Sequence, residues 1–88
     1  MSSMRLASSS NGVRPLSSLP EGTHATIVDV RASGGPSDRL HALGVTPGAL
    51  VTVMQTFPGV VFLCDQTELA VERGVADAIF VRPLKRTT

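Results

Sequence analysis

The chain has 88 residues, of which 42% are hydrophobic, with three Phe, no Trp or Tyr, one Cys and a formal net charge of +1. That length leaves room for one small domain, which buries only about 60% of the surface its unfolded chain exposes, and the lone cysteine excludes an internal disulfide and any Cys-x-x-Cys metal knuckle. Between Pro15 and Leu84 four arginines face seven acids, so the basic residues gather in the tails, the reverse of a nucleic-acid footprint.

Residues 1–14 are rich in Ser, Asn and Gly without periodicity, which predicts a disordered tail. They contain no apolar core of the kind a secretory signal needs. A domain over residues 15–84 follows, with a short basic tail at residues 85–88. No stretch approaches the roughly 20 apolar residues of a membrane span; the longest run, Val60 to Cys64, is strand length. The expectation is therefore a cytoplasmic protein that does not insert into the membrane.

Pro15 to Gly22 reads as a lead-in in which Leu16 and Leu19 plug one end of the core. Thr23 to Arg31, with Ile27, Val28 and Val30, is β-prone and ends at the glycines Gly34 and Gly35. Ser37 is placed to cap a short helix to Leu43, with Leu40 and Leu43 on its inner face and Gly44 as a left-handed stop. Thr46-Pro47-Gly48 has the residues of a type II turn, proline for the fixed φ and glycine for the positive one. The next strand, Ala49 to Phe57, carries Val51, Val53 and Phe57 on one parity and Leu50 and Met54 on the other, as a strand curling across a small barrel does.

Pro58-Gly59 turns the chain into the strand Val60 to Cys64, and Asp65-Gln66-Thr67 turns it into Glu68 to Glu72. There Leu69 and Val71 alternate with Glu68, Ala70 and Glu72, so one face is buried and the other solvated. Arg73 to Asp77 reads as a terminal helical turn and Ala78 to Arg82 as the last strand. The expected fold is mainly β, a small SH3-like barrel of about five strands with one short helix after the first.

Chemistry-bearing residues are few. Cys64 lies in an apolar strand and reads as a small hydrophobe. Gly34-Gly35 lacks the lysine-containing pattern of a phosphate loop, and Asp65 with Glu68 reads as turn and surface. Asp38 and His41, three apart on the outer face of the helix, offer two ligands to iron or zinc, short of the three or four of a stable zinc site. A second molecule would have to complete that set through weak self-association, and no cofactor is otherwise required. No nucleophile, base and orienting group converge, so the chain does not read as an enzyme.

The ordered signature Arg39-Leu40, Leu43-Gly44-Val45 and Pro47-Gly48 entering a Val-rich strand resembles the FeoA family, small proteins that accompany ferrous-iron uptake. Leu16 to Gly22, Leu69-Ala70-Val71 and Ala78 to Val81 extend the resemblance over most of the chain. It implies an SH3-like barrel and a non-enzymatic accessory that docks on the cytoplasmic side of a FeoB-like ferrous-iron permease with a GTPase domain, reaching the membrane through that partner. Within the signature, Leu40, Leu43, Gly44, Pro47 and Gly48 encode the fold, and Asp38, Arg39, His41 and Ala42 are the candidate partner-binding residues. The alternatives are a stand-alone regulatory module like those that end iron-dependent repressors, and a metal-binding oligomerisation module. The first is disfavoured because 88 residues leave no room for a DNA-binding domain ahead of the barrel. A proline-rich-peptide adaptor would need groove aromatics that a chain without Trp or Tyr lacks.

Overall fold

A computed structural model describes residues 12–31 and 35–84. Strands β1 (Arg14–Pro15), β2 (His24–Val30), β3 (Leu50–Gln55), β4 (Val60–Cys64), β5 (Thr67–Val71) and β6 (Ile79–Pro83) form one antiparallel sheet in the order β1-β6-β2-β3-β4-β5. Helix α1 (Gly35–Ala42) lies between β2 and β3, and a single helical turn, α2 (Arg73–Ala76), between β5 and β6. The expected strands are all present. Arg14, assigned to the tail from sequence, is in β1 opposite Val81; residues 1–11, expected to be disordered, lie outside the described residues.

The sheet buries one face, and register brings the buried side chains into rows. Ala25, Val51 and Cys64 are cross-strand partners in one row, and Val53, Phe62 and Leu69 in another. With Ile27, Val60, Ile79 and Val81 they form a single core around Phe62. Among the described residues no second sheet faces this core, and its ends are closed by residues from outside the long strands. Leu16 and Leu19, from the 3-10 turn after β1, fill one such place, as the sequence predicts; Leu40, Val45 and Ala76 fill others. Each such burial stabilises by about 1.5–3 kcal/mol for a Leu or Val side chain.

Two register shifts decide which apolar residues stay outside. In β3 the pairing passes from Val53↔Phe62 to Gln55↔Val61, leaving Met54 as the extra residue of a bulge. An extra residue reverses the parity beyond it. Phe57, expected on the inward parity of Val51 and Val53, lies past the end of β3 in the bend before β4 and is 77% exposed; Leu50 and Met54 are also at the surface, so the expectation of apolar burial on both faces of this strand is corrected. The second shift, between Ile27 and Asp29 in β2, sits where the chain prepares to leave the sheet. Just beyond it the Arg31 amide donates to the Ala78 carbonyl at 2.7 Å, and the Arg31 side chain pairs with Asp29 and lies over the Phe80 ring.

Helix α1 differs from the sequence expectation at both ends. It begins at Gly35, so Ser37 is inside the first turn and does not cap it, and Pro36 occupies a first-turn position where no amide is needed. At the other end the Gly44 amide donates to the His41 carbonyl at 3.0 Å and the Val45 amide to the Leu40 carbonyl at 2.9 Å, the paired bonds of a Schellman stop, with Gly44 at φ 94°. That stop folds the residue after the glycine back beside Leu40. Val45 is fully buried, and Leu43, expected inside, is 43% exposed. The chain then makes the expected turn: the Ala49 amide donates to the Thr46 carbonyl at 3.0 Å across Pro47 and Gly48, with Gly48 at φ 97°. Two further bonds, from the Gly48 amide to the Ile27 carbonyl and from the Ile27 amide to the Ala49 carbonyl, both 2.8 Å, tie this turn to β2.

Candidate docking surface

Among the described side chains of α1 only Leu40 is buried, and from Asp38 to Ala42 the others are exposed. Asp38, Arg39, His41 and Ala42 are all exposed, and Leu43 joins them at the rim. The four candidate partner-binding residues thus share one small surface. The His41 ring donates through Nδ1–H to the Ser37 carbonyl at 2.9 Å, which holds the imidazole along the helix. Asp38 and His41 remain neighbours on that face, but among the described residues no third His, Cys, Asp or Glu joins them. Two ligands from one molecule do not make a metal centre.

The remaining polar groups are spread over the molecule. His24 is on β2 and hydrogen-bonds through Nδ1 to the Thr52 hydroxyl at 2.9 Å, across the outer face of the sheet. Cys64 is buried, its thiol donating to the Gly44 carbonyl at 3.6 Å. Burial, and secondarily the charge of Asp65, push its pKa up, so it stays a neutral thiol at physiological pH, as the sequence reading has it. Asp65 sits at φ 59° in the two-residue loop between β4 and β5, and Glu68 is exposed on β5; both act as turn and surface. Gly35 belongs to α1, whereas Gly34 lies outside the described residues. The Ser17 hydroxyl donates to the Asp77 carboxylate with no histidine in that bond, and His41 binds Ser37 with no carboxylate in that one, so neither arrangement is a catalytic triad.

A second feature adjoins α1 that the sequence reading does not single out. A groove of about 380 Å3 separates the helix from β5, lined by Arg39, Leu40 and Leu43 on one wall and by Leu69 to Glu72 and Val75 on the other. Its only sequence signal is the alternation of Leu69 and Val71 with Glu68, Ala70 and Glu72. That pattern fixes which face of the strand is apolar but not that a helix stands off from it.

No helix among the described residues is long and apolar enough to cross a membrane. Among curated proteins none matches the chain. The family profile of the FeoA domain matches residues 14–83. Among solved structures, the FeoA protein from Chlorobium tepidum is 30% identical, with a TM-score of 0.76 over 81% of this chain and 70% of that one. FeoA of Stenotrophomonas maltophilia complexed with zinc, described as a prokaryotic SH3 domain protein, is 25% identical with a TM-score of 0.69, over 75% of this chain and 86% of that one. A manganese-dependent transcriptional repressor superposes with a TM-score of 0.75 at 18% identity over 82% of this chain and 42% of that one, a likeness of fold alone.

Proposed function

The chain belongs to the FeoA family, and from that premise we propose that it is a non-enzymatic accessory of ferrous-iron uptake that docks on the cytoplasmic side of a FeoB-like permease. The observation that carries this reading is the outer face of α1. The family signature surrounds a helix whose Asp38, Arg39, His41 and Ala42 are exposed and buttress nothing in the core. Residues that fold the domain and residues free to meet a partner are thus separated on one short helix. The mechanism is protein contact: an exposed helix held by one buried leucine and a rigid stop gives a partner a fixed, polar surface. Iron is the cargo of the permease in this reading, and Asp38 with His41 contributes at most a weak contact to a divalent metal.

The test is a double substitution, Asp38→Lys with Ala42→Glu, which changes shape and charge on this face alone. The variant is expected to melt within a degree or two of the parent, since exposed changes of this kind cost about 0.5 kcal/mol or less, and to lose capture of the permease in detergent extracts. Normal melting with undiminished capture places the docking surface elsewhere.

A further inference from the structure

Strand β5 is one edge of the sheet, and among the described residues no strand pairs with its outer side. The Asp65 amide points back to the Leu50 carbonyl on β3 at 3.5 Å. By alternation, Cys64, Phe62 and Val60 direct their backbone groups to their β5 partners Thr67, Leu69 and Val71. The amides and carbonyls of Glu68 and Ala70 therefore project away from the sheet, and among the described residues no backbone group meets them. Natural edges are usually blunted by proline, lysine, a bulge or a covering element. This one has none of the first three within Thr67–Val71, carries its smallest side chain, Ala70, midway between Glu68 and Glu72, and borders the groove that α1 leaves open.

We propose that this edge accepts an extended segment of a partner protein as an additional antiparallel strand, with apolar side chains in the groove and basic ones beside Glu68 and Glu72. Alternation sets the pattern. Residues of the guest that share the face of Leu69 and Val71 enter the space walled by Leu40, Leu43 and Val75. The lining they meet is mostly aliphatic, with Arg39 and Glu72 at its margins, so these positions are apolar. Guest residues on the other face stand beside exposed Glu68, Ala70 and Glu72. The neighbouring Arg73 is engaged by its hydrogen bond to the Thr56 carbonyl. The guest sequence is then basic, apolar, any, apolar, basic. A second copy of β5 does not satisfy it, because antiparallel pairing centred on Ala70 sets Glu68 against Glu72 twice, and like charges directly opposite are destabilising. This surface goes beyond the docking reading above, since it uses the inner side of α1 and does not depend on the partner being a permease.

The experiment uses the full 15N-labelled chain and the peptide acetyl-Ser-Lys-Val-Thr-Val-Lys-Ser-amide, with a control in which both lysines are glutamates. Expected are chemical-shift changes confined to β5, α1 and α2 and slowed amide exchange at Glu68 and Ala70. The glutamate peptide should bind about fivefold more weakly or worse, since two cross-strand charge pairs of several tenths of a kcal/mol each change sign. Glu68→Lys with Glu72→Lys should reverse that preference. Ala70→Pro should abolish binding while the domain stays folded, because the amide it removes is not bonded to β4. The proposal is overturned by absent protection at millimolar peptide, by equal binding of the two peptides, by full affinity in the proline variant, or by concentration-dependent protection of β5 without peptide, which would mean a second copy. The Asp38→Lys, Ala42→Glu variant should bind the lysine peptide like the parent, so failure here and failure of permease docking are separately visible.

Discussion

Leu40 and Leu43 are the same residue type one helical turn apart, yet one is 4% and the other 43% exposed. Their energetic roles differ accordingly. Leu40→Ala should destabilise by about 2–4 kcal/mol, a buried leucine lost with only partial collapse of the space. That is a large share of the few kcal/mol a domain this small possesses. Leu43→Ala should stay within about 0.5 kcal/mol of the parent, as surface changes do. Urea unfolding of the two variants side by side checks this, and equal losses would mean that Leu43 is in the core after all. The contrast also separates stability from binding, because Leu43 lines the groove beside β5 and its truncation should weaken the guest peptide without touching the fold.

The helix-stop element is the place where local chemistry rules the surrounding packing. Gly44 has open space where a Cβ would be, so no clash penalises a side chain there; its φ of 94° does. Gly44→Val should therefore cost roughly 1–2 kcal/mol through backbone strain, and Gly44→Asn noticeably less, since asparagine visits the left-handed region more readily. Denaturant midpoints of the pair decide it: equal losses would point to something other than backbone conformation. The consequence extends past the glycine, because the same stop seats Val45 beside Leu40 and leads into the turn that binds β2 at Ile27. A strained stop would loosen the one anchor of α1 and with it the placement of Asp38, Arg39, His41 and Ala42.

At the scale of the whole molecule the charge distribution is the feature that selects partners. The domain is acidic while Arg5, Lys85 and Arg86 lie in the tails, and the described surface pairs one arginine with a carboxylate, Arg31 with Asp29. A nucleic acid needs a cluster of cations whose counterions it can exchange, and such binding weakens steeply with salt. The chain should show no salt-sensitive binding to duplex DNA at about 0.15 M salt; fluorescence anisotropy of a labelled duplex, titrated at several salt concentrations, reads this directly. Micromolar or tighter affinity with a steep salt slope would move the regulatory reading ahead of the accessory one.

What the sequence determined by itself is whatever depends on near neighbours. The glycine stop, the Pro47-Gly48 turn, the alternation in β5, and the order of strands around a short helix all follow from φ preferences and a period of two, which act over a few residues. Burial of Leu16, Leu19 and Cys64 was legible for a similar reason, since Cys64 ends the apolar run from Val60 and the two leucines are the only large apolar side chains between Pro15 and Gly22. Tertiary structure decided the rest. The bulge at Met54 depends on pairing with β4, so it appears only when the strands meet, and β3 ends at Gln55, short of Phe57. Val45 displaced Leu43 from the core because the helix stop turns the chain back toward the sheet, which helical spacing does not reveal. The groove beside β5 exists because α1 is seated through Leu40 and stands apart from the edge, a distance set by the packing of the whole domain and by no local pattern in the chain.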